Sequence, residues 1–146
     1  MEKRINIEET EPNGYKAMLG LEGFLATSQL NKTHKELIKI RASQINGCAF
    51  CINMHTKDAR KNGETEQRIY LLNAWKETTL FSEEERVILA MTEEVTLITQ
   101  SGLSAETYGK AKAVFSDQYI AQVILAIVTI NAWNRIAVAT QLPPAL

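Results

Sequence analysis

Two thiols and one imidazole stand close together in the segment from Gly47 to His55. Cys51 follows Cys48 by three positions, and His55 follows Cys51 by four. On an α-helix, side chains at these spacings share one face. Gly47 lets the chain turn sharply into such a helix, whose first turn favours a thiolate because its unpaired N–H groups and its dipole stabilise negative charge. The spacing therefore predicts at least one unusually acidic cysteine.

This pattern indicates two-thiol redox chemistry. His55 lies one helical turn beyond Cys51, where it can accept the thiol proton or stabilise the thiolate. Cys51 is then the nucleophile for an electrophile such as a peroxide oxygen, and Cys48 condenses with the resulting sulfenic acid to give a disulfide. A separate reductant must restore the two thiols. Glu36 is a candidate proton relay, but as the third residue after Thr33 it is better explained on the residues alone by a capping box.

The same residues allow weaker alternatives. Both cysteines can pack as small apolar side chains without any chemistry. A zinc site needs four ligands, and the set available, which lacks finger or ribbon spacing, is Cys48, Cys51, His55 and His34. We expect His34 to be solvated, in the first turn of its helix, with no role. A c-type haem site requires a histidine directly after the second cysteine, where Ile52 stands.

Composition bounds the classes of protein that need consideration. The chain has 146 residues, of which 45% are hydrophobic and 23% charged, and a formal net charge of -1. These values are typical of one folded globular domain and exclude disordered, collagen-like and disulfide-dense proteins. Because there is no overall basic field, a nucleic-acid partner is disfavoured.

Neither a secretory signal nor a membrane span is expected. The first nineteen residues are too polar for a signal peptide. The most apolar stretch, residues 119–133, is shorter than the roughly 20 residues that cross a bilayer. We therefore expect a cytoplasmic protein, where two closely spaced cysteines favour redox or metal chemistry over a structural disulfide.

The elements that must position these groups are helices. Apolar residues recur at intervals of three and four throughout, and capping patterns at Ser82 with Glu85 and at Asn62-Gly63 mark helix ends. The sequence predicts an all-α single domain of about six to seven helices, residues 14–146, behind a polar arm, residues 1–13. The predicted helices lie near 15–30, 33–46, 48–61, 65–77, 83–99, 104–114 and 117–138.

Two further expectations concern apolar side chains. The last helix is apolar nearly all round, so it should lie in the core or in a subunit interface, which favours a homo-oligomer. Aromatic residues at helical spacing are more often part of the core than of a site. Those expected in the core are Trp75, Trp133, Tyr70 and Phe50.

The segment from Glu36 to His55 strongly resembles the carboxymuconolactone decarboxylase/AhpD-like superfamily. In its alkylhydroperoxidase branch a Glu precedes the first cysteine by twelve residues and a His follows the second by four. Glu36, Cys48, Cys51 and His55 reproduce both intervals. Residues 130–137, INAWNRIA, are also similar to the closing segment of that family.

The resemblance implies an all-helical fold that assembles into trimers or hexamers and a peroxidase activity that uses no metal or flavin. It assigns Cys51 as the cysteine that attacks the peroxide and Cys48 as the one that resolves it. It also makes Glu36 and His55 a proton relay, so that Glu36 is expected to be a site residue and not only a cap. The substrate would be a hydroperoxide, and the reductant a thiol or a lipoyl-bearing partner.

One departure from the family pattern concerns Phe50. The peroxidase type has a His directly before its second cysteine, and Phe50 stands there, so the peroxidase rate and the electron donor are open. Two other functions remain as alternatives. One is a non-enzymatic redox-sensing or oligomerisation module, and the other is a lactone decarboxylase-like lyase, which the paired cysteines disfavour because the decarboxylase branch lacks them.

Overall fold

The computed structural model describes residues 2–146, and within this range the chain forms ten helical segments and no strand. Nine are α-helices and one is a 3-10 helix, Leu72–Glu77. The α-helices are α1 (Ile7–Thr10), α2 (Pro12–Thr27), α3 (Lys32–Asn46), α4 (Ala49–Lys61), α5 (Glu66–Tyr70), α6 (Glu83–Thr96), α7 (Ile98–Ser101), α8 (Ala105–Val114) and α9 (Asp117–Thr140). The all-α prediction is confirmed, whereas the expected number of six to seven helices is wrong.

The additional segments arise from breaks that apolar periodicity does not detect. The helix expected over 65–77 is divided into α5 and the 3-10 helix, within which Ala74 has non-helical angles (φ -113, ψ 26). The helix expected over 83–99 breaks at Leu97 (φ -92, ψ 44). A short helix also forms within the arm, at Ile7–Thr10. One non-helical residue leaves the spacing of the buried side chains almost unchanged, so the sequence pattern continues across it.

The capping box predicted at Thr33 and Glu36 is wrong. Asn31 is the N-cap of α3, and its side-chain oxygen accepts hydrogen bonds from the backbone N–H of Thr33 (2.8 Å) and of His34 (3.3 Å). Asparagine is among the strongest N-cap residues, so the helix begins before Thr33. The carboxylate of Glu36 is therefore not used as a cap.

Two other predicted helix boundaries are confirmed. Ser82 and Glu85 form a complete capping box at the start of α6, with reciprocal side-chain to backbone hydrogen bonds. After α4, Gly63 takes a left-handed conformation (φ 93) beside Asn62. Both boundaries are local features, which explains why the sequence alone locates them.

Helix α3 lies at the centre of the fold and packs against α4, α6 and α9. The largest core cluster joins these helices and includes both cysteines. A second cluster contains Leu37, Ile40, Ala59, Leu72, Trp75, Phe81 and Leu89. The prediction that Trp75 belongs to the core is thus confirmed, and α3 contributes one face to each cluster.

Helix α9 is the longest element and contacts α2, α3, α4, α6 and α8. It extends to Thr140, so by length and composition alone it can span a membrane, with a mean hydropathy of 1.5 over 18 residues. Core helices of soluble proteins pass the same test. Its inward face is buried, which confirms its predicted place in the core, whereas Leu125 and Val128 on its other side are 38% and 47% exposed.

Candidate active site

The turn between α3 and α4 positions the two cysteines. Gly47 ends α3 in the left-handed conformation (φ 66), which glycine adopts without steric cost. The N–H of Cys48 then donates back to the carbonyl of Ser43 (3.0 Å), and Cys48 is the N-cap of α4. Cys51 lies in the first turn of α4, as the sequence predicts.

Cys48 and Cys51 are joined by a disulfide bond. The backbone N–H of Cys51 also donates to the sulfur of Cys48 (3.3 Å). Both residues are almost fully buried. The cysteine pair therefore lies at the N-terminal end of α4.

His55 and Glu36 come together beside the disulfide, although they lie on different helices. His55 follows Cys51 by one turn of α4, a spacing that places two side chains about 5–6 Å apart at Cβ. Its Nδ1 lies 3.5 Å from Oε2 of Glu36, across the contact between α3 and α4. The structure therefore brings together all four residues that the sequence analysis selected.

A network of polar side chains ties the α3–α4 turn to α9. The amide nitrogen of Asn46 donates to the side-chain oxygens of Asn131 (3.0 Å) and Asn134 (2.9 Å). Asn134 in turn donates to the hydroxyl of Ser43 (2.9 Å), and both of these side chains are fully buried. Because each group has a partner, the network fixes the turn that carries Cys48.

Cys51 and His55 open onto a cavity of about 990 Å³. Its wall includes side chains from α2, α3, α4 and α9 together with the N-terminal residues 2–8. The apolar and aromatic lining side chains include Tyr15, Leu19, Phe50, Met54 and Trp133. The cysteine pair thus lies at a site that a ligand can occupy.

Among the charged residues in this wall, Glu22 and Lys39 form an ion pair that the sequence analysis did not select. Lys39 is only 8% exposed, and its Nζ lies 3.4 Å from Oε2 of Glu22. The other oxygen of Glu22 accepts a hydrogen bond from Nε1 of Trp133 (3.0 Å), whose indole packs edge-on against Tyr15. One signal for Lys39 was present in the sequence, since it follows Glu36 by three residues and so lies on the same side of α3.

The expectations for the aromatic residues need correction. Phe50 and Trp133 pack against the core cluster, as expected, but they are only partly buried and also line the cavity. Tyr70 is 67% exposed and does not belong to the core. Helical spacing therefore neither guarantees burial nor distinguishes a packed core from the wall of a cavity.

His34 is buried, contrary to the expectation that it is solvated. Its Nδ1 lies 2.7 Å from the hydroxyl of Tyr119, which accepts a hydrogen bond from the N–H of Asn31 (3.1 Å). Burial lowers the pKa of His34, against the opposing effect of Glu84 and Glu85. Within residues 2–146, no three or more His, Cys, Asp and Glu side chains are grouped to hold a metal ion, and His34 is not part of the cysteine site.

Comparison with known proteins identifies relatives over nearly the whole chain. Residues 12–94 match the model of the carboxymuconolactone decarboxylase family. The uncharacterized protein YdfG of Bacillus subtilis (strain 168) is 46% identical over 139 residues, which is 95% of each chain. The chain is also 39% identical to a protein of unknown function from Agrobacterium tumefaciens that has been suggested to be the antioxidant defence protein AhpD. That crystal structure has a TM-score of 0.96, with 99% of each chain covered.

A more distant structure shows the same fold. It is an uncharacterized peroxidase-related protein from Silicibacter sp. TM1040, which is 24% identical, with a TM-score of 0.79 over 92% of this chain and 72% of that one. The resemblance that rested on the cysteine segment and the last helix is therefore confirmed.

Proposed function

The chain belongs to the carboxymuconolactone decarboxylase family, and we propose that it is a thiol peroxidase, free of metal and flavin, that reduces hydroperoxides through a dithiol–disulfide cycle. The observation that carries this proposal is the position of the Cys48–Cys51 disulfide. It lies at the N-terminus of α4, with Cys51 and His55 facing one cavity and Glu36 directly behind His55.

In the first step the reduced Cys51 attacks the outer oxygen of the hydroperoxide as a thiolate. The O–O bond breaks, the sulfur becomes a sulfenic acid, and the alkoxide takes a proton to leave as an alcohol. In this proposal His55 accepts the thiol proton and returns it to the leaving oxygen. The carboxylate of Glu36, 3.5 Å from Nδ1 of His55, stabilises the imidazolium that forms in between.

In the second step Cys48 attacks the sulfur of the sulfenic acid and water leaves, which forms the disulfide that the structure contains. One hydroperoxide and two thiols thus give one alcohol, one water and one disulfide. A thiol or a lipoyl-bearing partner closes the cycle by thiol–disulfide exchange. Because both sulfurs are almost fully buried, that reductant must reach them through the cavity beside Cys51.

We further propose that the active form is a homo-oligomer in the cytoplasm. The outer side of α9 exposes Leu125 and Val128, and such apolar surface is typically covered by a second subunit. Sedimentation at micromolar concentration tests this, and a monomer would contradict it.

The proposed function is tested by thiol counting on the fully reduced protein. One equivalent of a hydroperoxide should remove both thiols of the wild-type protein, whereas Cys51→Ser should leave its remaining thiol intact. A double variant that lacks both thiols should consume no peroxide. If wild-type thiols do not react, the redox-sensing or lyase function becomes the better account.

A further inference from the structure

The cavity beside Cys51 is much larger than hydrogen peroxide requires. One water molecule takes about 30 Å³ of the liquid, and hydrogen peroxide is only slightly larger. A cavity of about 990 Å³ is at the upper end of the range, about 300–1,000 Å³, that holds drug-sized molecules. Its walls carry the aromatic side chains of Tyr15, Phe50 and Trp133. This size and lining suit a hydroperoxide with an organic substituent.

The charged side chains around the cavity do not favour an anion. Four acidic and three basic side chains line it, namely Glu2, Glu8, Glu22 and Asp58 against Lys3, Arg4 and Lys39. Lys3 and Arg4 are exposed, so water and salt screen their charges. Among the described lining residues, Lys39 is the one buried lysine or arginine, and its ammonium already faces the carboxylate of Glu22 at 3.4 Å.

We propose that the cavity selects uncharged organic hydroperoxides over carboxylate-bearing ones, and that the Glu22–Lys39 ion pair sets this selectivity. The inference rests on the proposed peroxidase function. A substrate carboxylate that enters the cavity loses hydration. The ammonium of Lys39 does not compensate for this loss, because it is already paired with the carboxylate of Glu22, which also repels the substrate. An uncharged substrate has no charge to desolvate and is not repelled by Glu22.

Glu22→Gln removes the charge of Glu22 but can keep its hydrogen bond with Trp133. Glutamine keeps an oxygen that can accept the hydrogen bond from Trp133, but it leaves the ammonium of Lys39 without a counter-ion. The variant should therefore gain reactivity toward a carboxylate-bearing hydroperoxide. The matched probes are the para-carboxamide and the para-carboxylate of cumene hydroperoxide, which have nearly the same size and differ in charge.

The measurement is the second-order rate constant of thiol oxidation in the reduced protein for each probe. We expect the wild-type protein to prefer the uncharged probe by at least about tenfold, which is within the range that a binding site achieves against a mismatched group. In Glu22→Gln the ratio of the two rate constants, uncharged probe over carboxylate probe, should fall to about twofold or less. Lys39→Met, which leaves Glu22 unpaired, should raise the ratio above the wild-type value.

Asp58→Asn is the matched control, because it removes one negative charge from the same wall without freeing Lys39. Its ratio should stay near that of the wild-type protein. The selectivity proposal is overturned if the wild-type protein oxidises equally fast with both probes, or if Asp58→Asn changes the ratio as much as Glu22→Gln does. It is also overturned if Lys39→Met leaves the ratio unchanged. If neither probe oxidises the thiols of the wild-type protein, the peroxidase function fails as well.

Discussion

The Nδ1 atom of His55 lies 3.5 Å from Oε2 of Glu36, and neither atom has a hydrogen-bond partner in the part of the chain that the structure describes. Both side chains are largely buried, at 7% and 13% exposure. The separation exceeds the usual range of about 2.7–3.2 Å for an N–H···O hydrogen bond. Buried polar atoms are nearly always hydrogen-bonded, so this unpaired contact needs an explanation, and the proposed proton relay supplies one.

Glu36→Gln tests the part that this contact plays. Glutamine retains the size of the side chain but cannot balance a charge on His55, so the rate of Cys51 oxidation should fall about 100-fold. Stopped-flow measurement of thiol loss with a hydroperoxide would show this. Glu83→Gln makes the same change in an exposed residue at the start of α6, and its rate should match the wild-type rate. Equal rates in both variants would remove Glu36 from the mechanism.

Asn134→Ala tests the network that holds the α3–α4 turn. The change leaves the hydroxyl of Ser43 and the amide of Asn46 with fewer partners in a buried position. We expect a loss of about 2 kcal/mol in the free energy of unfolding, measured by urea denaturation. Asn53→Ala removes a half-buried amide on α4 that donates to the backbone carbonyl of Ala145 (2.8 Å), outside the network, and should cost less than about 0.5 kcal/mol. Equal losses in the two variants would contradict the role of the network.

His34 should make the free energy of unfolding depend on pH. Burial lowers the pKa of His34 in the folded state below the ordinary value of 6.5. Folding therefore favours the neutral ring. The contribution of neutral His34 to the free energy of unfolding is complete above pH 6.5, and it is lost as the pH falls through the lower pKa of the folded state.

Urea denaturation of the wild-type protein and of His34→Gln at pH 7.5 and pH 5.5 checks this. Glutamine can also form a hydrogen bond with the hydroxyl of Tyr119, but it does not titrate in this range. The wild-type protein should lose more stability between the two pH values than the variant does. Identical losses of stability in the two proteins would show that folding does not lower the pKa of His34.

Arg68 should be a main contributor to the stability of the region around α5. Its guanidinium donates to both carboxylate oxygens of Glu85 (2.7 and 3.1 Å) and to Glu64 (2.7 Å). Burial alone raises the pKa of Glu85, but the hydrogen bonds from Arg68 and Ser82 hold it below its ordinary value.

Arg68→Met leaves the largely buried carboxylate of Glu85 without its cation, which we expect to cost about 3 kcal/mol. Because the pKa of Glu85 is lowered, the stabilisation is present above its unfolded pKa near 4.5 and is lost as the pH falls through the folded value. Denaturation at pH 7 and pH 3 should show that the difference between wild type and variant shrinks in acid. A difference that is the same at both pH values would contradict this.

The fold class and part of the site could be predicted because they depend on local sequence. Apolar spacing identifies helices, and the intervals between Cys48, Cys51 and His55 place these side chains on one helix face. The resemblance to the family supplied Glu36, which the residues alone explained better as a cap. The positions where helices break, as at Ala74 and Leu97, depend on tertiary packing and leave no trace in the periodicity.

The wall of the cavity could not be predicted, because its residues are brought together by packing between distant helices. Glu22, Lys39 and Trp133 come from α2, α3 and α9, and their contacts span up to 111 positions in the sequence. Glu22 and Trp133 have no distinguishing pattern in their own helices, and Lys39 has only its spacing from Glu36. Only the packing of α9 against α2 and α3 makes them one cluster next to Cys51.

The most direct test of the central claim is to trap the first product on Cys51. Reduced Cys48→Ser keeps the attacking thiol but has no second thiol with which to form a disulfide. After one equivalent of hydroperoxide, mass spectrometry should show the addition of one oxygen atom on Cys51, and a sulfenic acid reagent such as dimedone should label that residue. An unmodified Cys51 under conditions where the wild-type protein forms its disulfide would contradict the account.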